Sequence, residues 1–262
     1  MADPLCLLRG GGDLATGVAC RLFRAGWPVI VLELAQPMAV RRDVALASAV
    51  VDGVVDIEGM VGRRVEGTDV ALAVAEAGEV AVLVSPSIPA VEADVIIDAR
   101  LAKVNIDTLI TDAELVIGLG PGFTAGVDCH AVVETQRGHQ LGRVLWEGGA
   151  APNTGVPGEI GGQGAERVLR APADGTATWN RHIGDTTESG EVIGSVGGTQ
   201  VAAPFAGIIR GLIAPDTPVI KGTKIGDVDP RLDFAARGLI SDKALAIGGG
   251  VVEAILTRRA SR

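Results

Sequence analysis

The chain has no tyrosine, and aromatic residues occupy only 3% of its 262 positions. A surface that stacks the bases of single-stranded nucleic acid needs several aromatic side chains, so this composition argues against nucleic acid as a partner. The formal net charge of −9 argues the same way, because a surface that binds a polyanion is basic. Any anion-binding site in this chain must therefore be built locally, from a few residues.

Cysteine is also scarce, with three widely spaced residues, Cys6, Cys20 and Cys129. Three thiols do not make a disulfide framework, and their spacing does not match a zinc site, so no metal is expected. No apolar run reaches the roughly 18 residues of a membrane helix, and the N-terminus lacks the basic stretch of a secretion signal. The sequence therefore predicts a cytoplasmic protein with no membrane partner.

Hydrophobic residues are plentiful, at 47%, and in the first half they form short apolar runs that alternate with helix-like stretches. Continuous apolar strands separated by helices are typical of a parallel sheet covered on both faces. The runs predict strands over residues 5–8, 29–34, 80–84, 95–97 and 115–119. Helices are predicted over residues 14–24, 40–50, 70–77 and 241–258.

The second half carries an internal repeat with an offset of 32 residues, in which Ala171-Pro172-x-x-Gly175 recurs as Ala203-Pro204-x-x-Gly207. Neither half could bury its apolar face alone, so the two halves must pack together. Residues 167–230 resemble the barrel-sandwich hybrid fold of biotinyl and lipoyl carrier domains. The hairpin at residues 195–200 has no lysine, so neither lipoate nor biotin is expected to be attached.

Together these patterns predict the α/β fold class: a Rossmann-like, mostly parallel sheet plus a small all-β barrel-sandwich hybrid domain. Residues 1–135 are predicted to form a Rossmann-like nucleotide-binding domain, and residues 136–166 a hairpin and a Gly/Pro-rich connection. Residues 167–231 are predicted to form the barrel-sandwich domain, and residues 232–262 a C-terminal helix that returns to the first domain. Three glycines inside that helix, at 248–250, either break it or admit another backbone.

A glycine-rich loop follows the first predicted strand and opens the first predicted helix. Its pattern Gly10-x-Gly12-x-x-Ala15 fits the dinucleotide fingerprint, in which the first glycine allows a tight turn and the second lets backbone approach a pyrophosphate. Glu33 ends the second strand, where a carboxylate accepts a hydrogen bond from a ribose hydroxyl. The loop predicts NAD(P) or another nucleotide as ligand, and a tight turn without ligand is the alternative. The predicted binding residues are Gly10, Gly12, Asp13, Leu14, Ala15 and Glu33.

A second glycine-rich loop follows the last apolar strand, and Gly118, Gly120 and Gly122 are predicted to border the same ligand crevice. It leads to Asp128-Cys129-His130, which are candidate catalytic residues with Cys129 as nucleophile. The alternative is a buried structural cysteine beside a surface histidine. Candidates for binding a substrate or anion are Arg41, Arg42, Lys103 and Asn105.

Six segments together resemble the YqeB-like accessory proteins of the selenium-dependent molybdenum hydroxylase system. They are Gly10–Gly17, Gln36–Arg42, Gly118–Gly126, Glu134–Gly142, Asp227–Arg231 and Ser241–Lys243. The resemblance implies a molybdenum hydroxylase as partner, so the leading interpretation is a nucleotide-binding accessory or maturation factor. Two alternatives stay open: an NAD(P)-dependent oxidoreductase, for which the sequence offers no Tyr-Lys pair, and a non-enzymatic scaffold whose glycine loops are structural.

Overall fold

The structure, a computed structural model, describes residues 3–153 and 162–261. It contains two compact units. The first unit takes the chain up to residue 35, then residues 45–153 and the chain from residue 240 on; the second takes residues 36–44 and the chain between 154 and 239. Within the predicted Gly/Pro-rich connection, residues 154–161 lie outside the described residues.

The first unit is built on a nine-stranded mixed sheet. Its strands are β1 Cys6–Arg9, β2 Val29–Glu33, β3 Val54–Ile57, β4 Met60–Val65, β5 Val80–Val84, β6 Val95–Asp98, β7 Leu115–Leu119, β8 Ala131–Val133 and β9 Val144–Leu145. Their spatial order is β3-β4-β5-β2-β1-β6-β7-β8-β9. The strands from β4 to β8 in this order pair in parallel, and β3 and β9 add an antiparallel strand at each edge.

Helices cover the two faces of this sheet unequally. The α-helices are α1 Asp13–Arg24, α2 Ala49–Asp52, α3 Thr68–Glu76 and α4 Asp242–Ala260. A 3-10 turn of the first unit lies at Leu46–Ser48, and those of the second unit lie at Arg42–Val44, Ala165–Arg167 and Ala235–Gly238. Leu8 and Val31 share a core with α1 and α4 on one face, whereas Leu7 and Ile30 pack towards α3 on the other. None of these helices has the length and apolar character that crossing a membrane requires, within the ranges described above.

Two glycines let α1 and α4 pack with their backbones in close approach. A Cβ atom added to Gly17 would lie 2.5 Å from the carbonyl carbon of Ala244, and one added to Gly248 would lie 2.6 Å from the carbonyl oxygen of Gly17. The three consecutive glycines therefore stay inside α4, and Gly248 and Gly250 admit a neighbouring backbone, the second of the two predicted alternatives. Gly17 lies against Ala244 and the Arg21 side chain lies against Gly248, so the contacts advance together along both helices and α1 and α4 run parallel.

In the second unit, the described residues form eight short strands that follow the 32-residue repeat. They are β10 Val168–Arg170, β11 Gly175–Trp179, β12 Thr186–Thr187, β13 Val192–Val196, β14 Thr199–Ala202, β15 Gly207–Leu212, β16 Pro218–Val219 and β17 Lys224–Asp229. They form two four-stranded sheets of order β10-β17-β15-β12 and β14-β13-β11-β16. Each sheet takes two strands from each half of the repeat, and both contribute to one core, which confirms that the halves pack together.

The predicted fold class was wrong. The large sheet is mixed rather than a Rossmann-like, doubly wound sheet, and among the described residues no helix lies on the chain between β5 and β8. The described strands of the second unit form two separate antiparallel sheets rather than a small closed barrel. Apolar runs alone do not distinguish these cases, because edge strands that pair in opposite directions have the same composition.

Candidate functional site

The parallel strands of the first unit all end at one edge of the sheet, here called the carboxyl edge. The chain changes direction across the sheet between β1 and β6, since β2 pairs with one side of β1 and β6 with the other. In open sheets built from parallel strands, ligands bind outside the carboxyl ends at such a reversal. The glycine loop of residues 10–13 lies there, directly after β1.

The glycine loop is held by its neighbours but leaves one position open. Gly10 has φ +100°, a left-handed backbone that favours glycine, and the Gly11 N–H donates to Oε2 of Glu33 at 2.8 Å. A Cβ atom added to Gly12 would meet nothing within 4 Å, and Gly12, as the N-cap of α1, has no side chain to cap that helix. The start of α1 therefore offers backbone N–H groups beside open space, the arrangement that binds anions at helix N-termini.

Two further loops lie against each other along the same edge. A Cβ atom added to Gly122 would lie 2.6 Å from the backbone nitrogen of Val104, so the loops after β6 and β7 are in backbone contact. Leu101 and Lys103 have φ values of +54° and +67°, an unusual conformation for residues other than glycine. Non-glycine residues in this region cost free energy and concentrate at functional sites. Lys103 is exposed there.

A buried charged network fixes the loop after β6. Thr108 donates to Oδ2 of Asp98 at 2.6 Å, and Arg100 pairs with both Asp98, at 2.5 Å, and Asp107, at 2.7 Å. Arg9, at the end of β1, donates to Thr108 and pairs with Asp107, each at 2.8 Å. The hydrogen bond from Arg9 lowers the pKa of the Asp107 carboxyl from its ordinary value.

The other end of this edge is formed by Glu134, which follows β8, and by the start of α4. The Glu134 carboxylate accepts hydrogen bonds from the backbone N–H groups of Thr135, Gln136 and Ala151, all at 2.7 Å. Lys243 lies close enough to Asp13 and Glu134 to sense both charges, and burial lowers the pKa of its amino group. Sequence reasoning missed Lys243 as a site residue, because a lysine at a helix start is typical of solvent-exposed surface.

Asp128, Cys129 and His130 lie beyond β7 in structural roles. Asp128 accepts from the Thr124 N–H and from Asn105, at 2.8 and 3.2 Å, and His130 Nδ1 accepts from the Val116 N–H at 3.0 Å. Cys129 is completely buried, and burial raises the pKa of its thiol to about 11. A nucleophilic thiolate needs access and a lowered pKa, so this placement gives no support to a catalytic Cys129.

We expect Cys129 in the folded protein to resist alkylation by iodoacetamide at pH 7.5. With its pKa raised from 9.0 to about 11, its thiolate fraction is roughly 100-fold smaller than that of an ordinary cysteine. The measurement is labelling followed by peptide mass spectrometry, with denatured chain as the control that labels fully. Rapid and selective labelling of Cys129 in the folded chain would contradict this expectation.

Arg41 and Arg42 belong to the second unit rather than to the unit that holds the glycine loop. Arg41 donates to the backbone carbonyl oxygens of Arg237 and Leu239, both at 3.4 Å, and Arg42 donates through Nε to that of Leu212 at 2.8 Å. Arg42 thus ties residues 36–44 to the repeat region, and Arg41 ties them to the segment that follows it. The other predicted binding residues lie at the carboxyl edge. The loops hold Gly10, Gly12, Lys103, Asn105, Gly120 and Gly122, the first turn of α1 holds Asp13, Leu14 and Ala15, and the ends of β2 and β7 hold Glu33 and Gly118.

Two solved structures show a distant likeness to the chain. An aspartoacylase family protein from Mesorhizobium loti is 14% identical with a TM-score of 0.28, covering 88% of this chain and 86% of that protein. The ectoine utilization protein EutE (DoeB) from Ruegeria pomeroyi is 15% identical with a TM-score of 0.24, covering 87% and 58%. Likenesses this low assign no function. No protein-family model matches the chain.

Comparison with curated proteins gives a much stronger result. The chain is 46% identical over 255 residues to the uncharacterized protein YqeB of Escherichia coli (strain K12), covering 96% of this chain and 47% of YqeB. The chain therefore spans about half the length of this relative. The likeness extends along nearly all of the chain, and it supports the YqeB-like family predicted from the six sequence segments.

Proposed function

We propose that this chain is a nucleotide-binding accessory factor for molybdenum hydroxylases and that the glycine loop holds a nucleotide phosphate. One observation carries the binding part of the proposal. Gly12 is the N-cap of α1, and a Cβ atom added to it would meet nothing within 4 Å. It lies at the point where the strand order reverses beside β1. A phosphate placed there would accept hydrogen bonds from the first N–H groups of α1, and their dipoles favour its negative charge.

The residues around the loop fit a nucleotide in a second respect. The Gly11 N–H and the Leu34 N–H each donate to one carboxylate oxygen of Glu33, at 2.8 and 2.7 Å, which fixes the side chain beside the loop. A carboxylate oxygen has a second lone pair, so Glu33 retains the capacity to accept a hydrogen bond from a ribose hydroxyl. NAD(P) and nucleoside phosphates all carry such a ribose.

The accessory role rests on the family rather than on the geometry of the site. The 46% identity to YqeB extends over 96% of this chain, and YqeB itself is uncharacterized. The molybdenum hydroxylase as partner comes from the resemblance of the six segments to the YqeB-like accessory proteins. Two of those segments, at residues 10–17 and 118–126, form loops of the candidate site, so the resemblance and the proposed nucleotide site coincide there.

We expect Gly12→Asp to weaken nucleotide binding about tenfold or more without destabilising the fold. Aspartate is a preferred N-cap residue and has room here, but its charge and its capping oxygen compete with a phosphate for the N–H groups of α1. Calorimetric titration with NADH, NADPH, ATP, CTP and GTP measures the affinity.

The matched control is Gly238→Asp in the second unit, where an added Cβ also meets nothing within 4 Å and the net charge changes equally. Binding by Gly238→Asp should equal that of the unaltered chain. The proposed phosphate site is refuted if the unaltered chain binds none of the five nucleotides. It is also refuted if the Gly12→Asp chain binds them with the same affinity as the unaltered chain.

The accessory role is tested in cells that depend on a molybdenum hydroxylase. Cells that carry the Gly12→Asp chain should show the same reduced hydroxylase activity as cells without the chain, whereas the Gly238→Asp chain should restore it. Full hydroxylase activity in the absence of the chain would contradict the accessory role.

A further inference from the structure

Lys243 lies at the start of α4, where two helices begin side by side. The Ser241 hydroxyl accepts a hydrogen bond from the Ala244 N–H at 3.2 Å, which starts the helix two residues before Lys243. The contact between Gly17 and Ala244 holds this first turn of α4 against α1. Since the two helices run parallel, Lys243 lies beside the first turn of α1, next to the glycine loop.

In the part of the chain that the structure describes, the surroundings of Lys243 include three carboxylates but give its amino group no direct partner. Of the nearby carboxylates, that of Glu134 accepts three backbone hydrogen bonds, and that of Asp242 pairs with Arg137 at 2.8 Å. None of the described residues forms a hydrogen bond or an ion pair with the Lys243 amino group. The charged groups that act on Lys243 are Arg137, Asp13, Glu134 and Asp242.

A half-buried ammonium group without a partner costs free energy, and its position adds to that cost. Burial and the charge of Arg137 lower the pKa of Lys243 by more than the charges of Asp13, Glu134 and Asp242 raise it. The N-termini of α1 and α4 carry partial positive charges that also oppose a cation between them. A bound anion would offset these costs, because it places a negative charge beside the amino group and the two helix N-termini.

We propose that the Lys243 amino group binds the phosphate of the nucleotide held at the glycine loop, so that Ser241-Asp242-Lys243 is part of the site. This inference rests on the proposed nucleotide function and adds a binding residue that comes from the far end of the chain. It also explains why α4 returns to the carboxyl edge with its N-terminus, rather than its C-terminus, beside the loop.

The test compares Lys243→Met with Lys243→Arg, using whichever of NADH, NADPH, ATP, CTP and GTP the unaltered chain binds most tightly. Because a hydrogen bond between charged groups is lost, Lys243→Met should weaken binding about tenfold or more, and Lys243→Arg should restore most of it. The control is Lys224→Met, at an exposed position of β17 in the second unit, which should bind as the unaltered chain does.

The pH dependence separates binding by Lys243 from a merely structural role. Only the protonated amine binds the anion, so the affinity of the unaltered chain should fall as the pH rises through the lowered pKa of free Lys243 and should level off at the affinity of Lys243→Met. This fall should begin below the ordinary lysine value of about 10.4 and should be absent in Lys243→Met. A structural role would weaken binding without removing the pH dependence.

The two proposals fail in distinguishable ways. If the unaltered chain binds a nucleotide and Lys243→Met binds it with equal affinity and pH dependence, the role of Lys243 is refuted and the nucleotide site stands. If the unaltered chain binds none of the five nucleotides, both are refuted. A further readout is acetylation by acetic anhydride, from which sodium pyrophosphate should protect Lys243 and not Lys224; equal labelling with and without pyrophosphate would count against Lys243.

Discussion

An Asp98→Asn chain is expected to lose about 3 kcal/mol or more of the free energy of unfolding of the first unit. Asp98 has a side-chain exposure of only 2%, and its carboxylate pairs with Arg100 at 2.5 Å and accepts from Thr108 at 2.6 Å. The amide removes the charge but not the guanidinium, so Arg100 remains partly buried without its closest partner. Breaking a buried pair by neutralising one member is costly for this reason.

Denaturant unfolding of the first unit measures this loss, and an exposed pair provides the control. Arg64 and Glu66 lie 3.1 Å apart with side-chain exposures of 43% and 81%, so Glu66→Gln should change the free energy of unfolding by about 0.5 kcal/mol or less. A loss below about 1 kcal/mol for Asp98→Asn would show that the network does not hold the loop after β6.

Alanine at Gly17 is expected to destabilise the first unit by about 1–3 kcal/mol, whereas alanine at Gly249 is expected to stabilise it by about 0.5–1 kcal/mol. A Cβ atom at Gly17 would lie 2.5 Å from the backbone of Ala244 and force α1 and α4 apart. Gly249 lies within α4, and a Cβ atom added there meets nothing within 4 Å. The higher helix propensity of alanine is then the only change that affects the free energy of unfolding.

The opposite signs make the comparison decisive, since both changes replace a helical glycine by the same residue. Thermal unfolding and denaturant unfolding of the two variants measure the difference. If Gly17→Ala is as stable as Gly249→Ala, the backbone contact between α1 and α4 does not form as described. The placement of Lys243 beside the glycine loop would then lose its support.

Local elements of the first unit follow closely from the sequence. The predicted strands at residues 80–84 and 115–119 have the same bounds as β5 and β7. The predicted helix at residues 70–77 begins two residues after α3 begins and ends one residue after α3 ends. Runs of valine, leucine and isoleucine bounded by polar residues and glycine carry this information locally. The repeat likewise indicated that its two halves share one core, because each half is too small to bury its own apolar face.

Features that depend on distant contacts were not predictable in this way. The predicted helix over residues 40–50 is instead divided among 3-10 turns at Arg42–Val44 and Leu46–Ser48 and the short α2, and it crosses from the second unit into the first. Leu46, Ala49 and Val50 belong to the core of the first unit, whereas Val40 packs against Gly211 of the second, and no local period expresses such a division. The antiparallel edge strands of the large sheet, β3 and β9, were not predicted for a similar reason. The direction of a strand is set by the connections rather than by the composition of the strand.

The residues of the candidate site also fall into two groups: those that a local sequence pattern reveals and those that only tertiary packing brings together. The glycine loop and Glu33 were found from the sequence because the spacing of a strand, a turn and a helix is a local signal. Lys243 was not, because it lies 230 residues beyond Asp13 and approaches it only through the packing of Gly17 against Ala244. Arg41 and Arg42 were assigned to this site by sequence order, whereas their hydrogen bonds lie within the second unit.

Amide chemical shifts during a nucleotide titration test the central claim most directly, because they locate the ligand as well as detect it. In ¹H–¹⁵N spectra of the folded chain, the tightest binder among NADH, NADPH, ATP, CTP and GTP should shift the amide signals of Gly11, Gly12, Asp13 and Leu14. Signals from the neighbouring loops of the carboxyl edge should shift at the same ligand concentrations. Unchanged signals from the glycine loop, or shifts confined to the repeat region of the second unit, would contradict the account.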